Sequence, residues 1–507
     1  MTLEELREHA DAADEPRIVE ALDVSIGGVD PLGLRQINFD MMDQVLPGLN
    51  NVARHVQPLM LMAWAWRRAE QLTDLKGPAT VKELRDFVDR LETIYAWSQF
   101  LQDRETDLPG GQALSGLLQA EAFRFGGASW ERFRDVRRYS TGLIAAVNYG
   151  PILRNMEWLL DLSDVPESGV KVRGAYKANP NRDPSLDEAL DRFEASFTEV
   201  LSHRAFNDFG DVTVSQEDAL AWGALWHQQG ISADESNAAW NRMLAGGAGH
   251  VRKVGFELIK FAATYQTNDL HDEATVRRIM ADTVSVDFPE HLRPSADAWR
   301  RVQVRQVFRL ALEGLLHWCQ NALERPRTTD QLAARFLEEA SVSSHQATAS
   351  DWLQGFSFSR DPTQHLDALN AALVNRTDFA RAFIEAVRFC ISEAPTKSET
   401  FERSERLPII KAAREWSAWA VRPPVEFVGR IIEGWVLAQH TYWSVGRGLQ
   451  DARANGKTIL RMRVFIDEGG WRLADGFSPG SAPNPTPDRL GTALSLMSEC
   501  GELPNDL

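Results

Sequence analysis

Cysteine is scarce in this chain, with only Cys319, Cys390 and Cys500 among 507 residues. They stand far apart and form no CxxC pair, which argues against a disulfide framework or a cysteine zinc site and fits a reducing compartment. Lysine is also scarce: 9 of the 55 basic residues, against 46 arginines. Long hydrophobic runs are missing too. The most apolar stretch, 56–66, is too short to span a bilayer and runs into Arg67 and Arg68. The first residues are acidic and lack the apolar core of a signal peptide, so a cytoplasmic protein without membrane contact is expected.

Local enzyme signatures are missing as well. The chain contains no GxxxxGK[ST] loop, no GxGxxG after a strand and no HExxH. The common NTPase, dinucleotide and zincin readings therefore have no support. Glu-x-Lys, the usual mark of restriction-type nucleases, does not occur. The expectation is a protein with no cofactor and no metal. No fixed-period repeat is present either, which sets aside a solenoid.

What the chain does contain is 16 tryptophans, 44% hydrophobic residues and a formal charge of -17. An indole suits large cores and interfaces, and helix–helix packing is the expected use here. A surface this acidic repels nucleic acid and anionic membrane, so any such contact must come from a local basic patch.

Helix signals are frequent. Thr80-Val-Lys-Glu83 is a capping box, followed by Leu84, Phe87, Val88, Leu91 and Tyr95 at helical spacing. Ser185-Leu-Asp-Glu188, Ser232-Ala-Asp-Glu235 and Thr328-Thr-Asp-Gln331 predict three more helix starts. The best strand signal is 459–475, where apolar and polar residues partly alternate around Glu468-Gly469-Gly470. These patterns predict a mainly α, multidomain helical protein with a small β-hairpin near the C-terminus. The Pro/Gly-containing stretches divide it into segments 1–162, 185–290, 295–450 and 451–507.

Several side-chain groupings are candidates for chemistry. Arg360 and His365 have the Arg-x4-His spacing of helical ribonucleases, although Pro362 between them belongs at a helix start. His271-Asp272, with His250 upstream, follows the ligand order of helical metal-dependent phosphohydrolases. Arg301, Arg305 and Arg309 recur every four residues beside Trp299, and Arg132, Arg134, Arg137 and Arg138 follow Trp130. Guanidinium forks bind phosphates bidentately and indoles stack on bases, so both sets are candidate nucleic-acid contacts. Pairing with the chain's own carboxylates is the competing expectation. Residues 215–244 have a helix-turn-helix outline, but Asp234 and Glu235 at the second helix's start would meet phosphates badly.

Residues 30–68 are the most distinctive stretch. Asp30-Pro-Leu-Gly33, Leu46-Pro47-Gly48, Arg54 and Ala63-Trp64 resemble the opening block of a bacterial protein family with a D-x-L-G … L-P-G … R … A-W pattern. That family is often encoded among mobile anti-phage defence genes and lends no catalytic residues. The resemblance spans about 40 residues clearly, and continues diffusely through Asn148-Tyr-Gly150 and 310–318. In physical terms, Gly33 and Pro47-Gly48 punctuate short helices, and Arg54 is expected to bond carbonyls of the 46–51 turn. The combined expectation is a non-catalytic subunit or specificity factor of a defence assembly. Its partners would be other protein subunits, with DNA or RNA reached through the arginine patches. The alternatives are a nucleic-acid-processing enzyme whose site shows no local motif and a helix-turn-helix DNA-binding module.

Overall fold

The computed structural model describes residues 23–24, 30–164, 168–169, 173–226, 230–267, 269–340, 346–397, 406–455 and 459–503. Helices dominate, and strands occur only in two-stranded pairs. The fold is mainly α, with a small hairpin near the C-terminus as the sequence predicts.

The chain divides into two compact units, each with its own apolar core. One comprises residues 1–37, 304–360 and 364–485; the other comprises 38–303, 361–363 and 486–507. This differs from four consecutive segments. Two boundaries fall inside the helices Arg35–Met42 and Arg293–Ala322, where no Pro/Gly stretch marks them. The 163–184 excursion lies within the larger unit, where Leu159–Asp161 pairs antiparallel with Tyr176–Ala178. Strands this short carry too few alternations to show in a sequence pattern.

In the larger unit the helices Gln57–Lys76 and Val81–Gln102 pack side by side. Gly77, at φ +101°, ends the first. Thr80 starts the second: its hydroxyl accepts from the Glu83 N–H at 3.2 Å, and the Glu83 carboxylate accepts from the Thr80 N–H at 2.7 Å. Such a cap contributes about 1 kcal/mol. From Gln57 to Trp66 the first helix is buried on every side, which explains why its sequence is apolar all round. Trp64 packs edge-on against Phe193 and Phe197 and donates its indole N–H to Glu194 at 2.6 Å. Phe193 belongs to the helix Pro184–Ala195, which is capped by Asp183 and not by the expected Ser185. Pro184 takes the first helical position, where its missing N–H costs nothing, and this moves the cap back two residues.

The smaller unit gathers its core from the helices Thr329–Glu339, Phe379–Ser392 and Ile409–Trp419, and from a long helical run beginning at Pro424. That run widens into a π-helical stretch at Ile431–Leu437 and continues as the helix Ala438–Asn455. The expected Thr328/Gln331 capping box forms. The hairpin pairs Val464–Asp467 with Gly470–Leu473, and Gly470 takes φ +109°. Ile459–Leu460 does not join it; this segment pairs in parallel with Asp23–Val24.

Candidate interaction site

The structure gives the arginine and histidine candidates architectural partners. Arg305 and Arg309 are completely buried. Arg305 donates to the Leu407 and Arg406 carbonyls at 2.9 Å each; Arg309 donates to Glu313 at 2.6 Å and to the Asn484 carbonyl at 2.7 Å. The four-residue stripe therefore faces inward from Arg305 onward and presents no phosphate surface there. Arg301 is exposed. Arg134 pairs with Asp86 at 2.7 Å, and Arg137 forms a buried ion pair with Glu92 at 2.8 Å. Removing one partner of such a buried pair costs about 3–5 kcal/mol. Arg132 is exposed, and its guanidinium reaches back to the Ala128 carbonyl at 3.4 Å. The Arg138 side chain lies outside the described residues.

The histidines of both spacings also have partners within the fold. His365 is buried against the Phe389 ring, with Nε2 at 2.8 Å from the Ser359 carbonyl, and Pro362 opens its helix. Its ring helps hold the chain that enters the helix, while Arg360 is exposed. His271 meets the Tyr265 carbonyl at 2.9 Å, and Asp272 caps the helix Glu273–Ala281 by accepting from the Thr275 N–H at 2.7 Å. Among the described residues no group of three or more His, Cys, Asp or Glu side chains could hold a metal ion. The helices of the helix-turn-helix outline, Gln216–Leu225 and Ala233–Ala245, pack chiefly on Val81–Gln102 and Pro184–Ala195 respectively.

The distinctive N-terminal block falls into both units. In the larger one, Gly48 has φ +81° and the Pro47 carbonyl accepts from Arg252 at 2.7 Å. Arg489 takes the Leu46 carbonyl at 3.0 Å. Arg54, expected to hold this turn, is exposed; Arg252 and Arg489, distant in sequence, do that work. The next residue, His55, carries an arrangement that sequence spacing could not reveal. Its Nε2 lies 2.7 Å from Asp107 and its Nδ1 contacts Glu499, which also accepts from the Val56 N–H at 2.8 Å. Burial alone would lower the His55 pKa, but the two carboxylates outweigh it and raise the group to about 9.

In the smaller unit the block braces a helix. Asp30 caps Arg35–Met42, accepting from the N–H groups of Leu34 and Arg35 at 2.9 and 3.2 Å. Burial and the nearby Glu313 charge raise its carboxyl above the ordinary range, against those two bonds. His440 donates from Nδ1 to the Pro31 carbonyl at 2.8 Å and accepts the Arg463 N–H at Nε2 at 2.9 Å. Gln439 donates to the Leu32 carbonyl at 3.0 Å. Gly33, at φ +72°, lies under the Trp443 ring, where a Cβ would come within 2.3 Å. Asp30-Pro-Leu-Gly33 is thus the seat of one face of Ala438–Asn455.

The opposite side of that helix is open. Tyr442, Val445 and Leu449 are 59%, 37% and 45% exposed and follow i, i+3, i+7 spacing. Gly446 beside them has nothing within 4 Å of where a Cβ would be. This is an apolar seam with room for close backbone approach, the geometry a second helix uses to insert its side chains. A cavity of about 510 Å³ in the same unit is lined by His317, Trp318, Arg335, Glu339, Arg376 and Phe379. Several of its groups satisfy one another: Trp318 donates to Glu339 at 2.7 Å, and Arg335 lies over the Trp318 ring. Burial and the Arg376 and Arg463 charges lower the His317 pKa.

Among the described residues no helix is long and apolar enough to cross a membrane. Comparison with family models, curated proteins and solved structures finds no match to this chain.

Proposed function

We propose that this chain is a non-catalytic recognition and scaffold subunit of a bacterial anti-phage defence assembly, working in the cytoplasm. It engages a partner protein through the Tyr442–Val445–Leu449 seam, and the partner supplies an amphipathic helix. The observation that carries this reading is the pairing of two features on one helix. Its inner face rests on Asp30-Pro-Leu-Gly33, the segment that resembles the defence-associated block, and its outer face is an exposed apolar stripe. Large apolar side chains left in water at helical spacing are the mark of an interaction surface.

The test is co-expression with the products of adjacent genes, followed by size-exclusion chromatography with light scattering. The wild-type chain is expected to co-elute with one of them, while a Tyr442→Asp/Leu449→Asp variant with unchanged circular dichroism elutes alone. A wild-type chain that stays monomeric with every neighbour, or a variant that assembles normally, refutes the proposal.

A further inference from the structure

In the larger unit a cavity of about 380 Å³ is lined by residues that include Ile144, Ala145, Arg154, Asp164, Arg173 and Tyr176. Two of them are arginines. Among the described residues neither guanidinium has a carboxylate within salt-bridge distance, and Arg154 has only the Tyr176 hydroxyl, at 3.4 Å. The backbone carrying Arg173 is nevertheless tightly held. Asp161 accepts from the Gly174 N–H at 3.0 Å, Arg85 donates to the Gly174 carbonyl at 3.0 Å and to the Arg173 carbonyl, and Leu162 donates to the Ala175 carbonyl at 2.8 Å. The Asp161 carboxylate, which also lines the cavity, accepts from Gly174 and from Ser163 at 2.8 and 2.9 Å, so it orders the loop while keeping its negative charge. Tyr176 is fixed in turn by edge-on packing against Trp66.

The exposed Arg173 guanidinium, on a held backbone and beside Arg154 and the Tyr176 phenol, offers hydrogen-bond donors to an anion. Ile144 and Ala145 add an apolar wall, and Asp164, exposed at the rim, can accept from a ligand hydroxyl. The volume suits a small molecule. We infer that this cavity binds a phosphate monoester carried on a sugar, with Arg154 and Arg173 on the phosphate and Asp164 on a sugar hydroxyl. The same chemistry is offered by a free nucleoside monophosphate and by the 5′ end of a nucleic-acid strand.

Calorimetric titration of the full chain with AMP, adenosine, and a short oligonucleotide with or without its 5′ phosphate separates these sources. The expected result is saturable binding of AMP or the phosphorylated strand, and none of adenosine or the 5′-hydroxyl strand. Arg173→Ala should weaken that binding about tenfold or more at an unchanged melting temperature, and Arg173→Lys should restore part of it. Equal binding with and without phosphate, no binding of any of the four at millimolar concentration, or wild-type affinity in Arg173→Ala would each overturn the assignment.

Discussion

His55 makes the larger unit's stability depend on pH in a direction that can be measured. Its ring is clasped by Asp107 and Glu499, and its side chain is only 13% exposed. The folded pKa of about 9 lies above the ordinary 6.5. A group that binds its proton more tightly when folded stabilises fully below its unfolded pKa and loses that contribution as pH rises through the folded value. The window is therefore pH 6.5 to 9. A shift of this size caps the effect at about 3 kcal/mol; because Asp107 is half exposed, screening reduces the expectation to about 1–2 kcal/mol. The assay is guanidinium unfolding of wild type and His55→Gln at pH 6, 7.5 and 9.5, followed by tryptophan fluorescence. Subtracting the variant cancels every other titrating group. The difference in unfolding free energy should be greatest at pH 6 and shrink by about 1–2 kcal/mol at pH 9.5. A flat difference, or one that grows with pH, refutes the reasoning.

Two further perturbations address the smaller unit. His440 is the converse case: burial, aided by the Arg463 charge, lowers its pKa to about 4, and its two hydrogen bonds require the neutral ring. Its contribution is present above pH 6.5 and is lost as pH falls from 6.5 towards 4, so His440→Gln should flatten the acid limb of the unfolding curve; an unchanged limb contradicts the assignment. Gly33→Ala forces a methyl into the Trp443 ring from a left-handed backbone and should cost about 2–4 kcal/mol, read from the denaturation midpoint. A loss below about 0.5 kcal/mol would mean the segment is not the seat of that helix.

The parts of the fold that could be read in advance were the ones written within a few residues. Capping boxes at Thr80, Ser232 and Thr328 formed because their partners sit three positions on. The hairpin formed for the same reason: Glu468-Gly469 allows a tight turn and Trp471 fixes the return strand against Arg327. Long-range features were illegible. The Arg301, Arg305, Arg309 period was real, but the surrounding Val302, Val304, Val307 and Phe308 are buried too, so spacing could not reveal which way the stripe faced. His55 joins Asp107 and Glu499 across 52 and 444 positions, beyond any local motif. The seam at Tyr442, Val445 and Leu449 shows the opposite problem. Apolar residues at that spacing read as core, and only the three-dimensional arrangement shows that nothing among the described residues covers them.

The arginine content has a structural explanation that changes how the remaining arginines should be read. Arg90 donates to the Gly210 and Asp208 carbonyls, and Arg252 donates to those of Pro47, Met243 and Gly246. A guanidinium offers five donors in a rigid fork, so one side chain can satisfy several carbonyls where loops meet inside a unit. Burial lowers both groups to about 10, which leaves them charged at neutral pH and keeps all their donors. Arg90 and Arg252 therefore stand where buried water would otherwise bridge loop carbonyls. The informative arginines are those the fold could have paired and did not. Arg154 and Arg173 share one cavity without a salt bridge among the described residues, which makes that cavity the place to look for a bound anion.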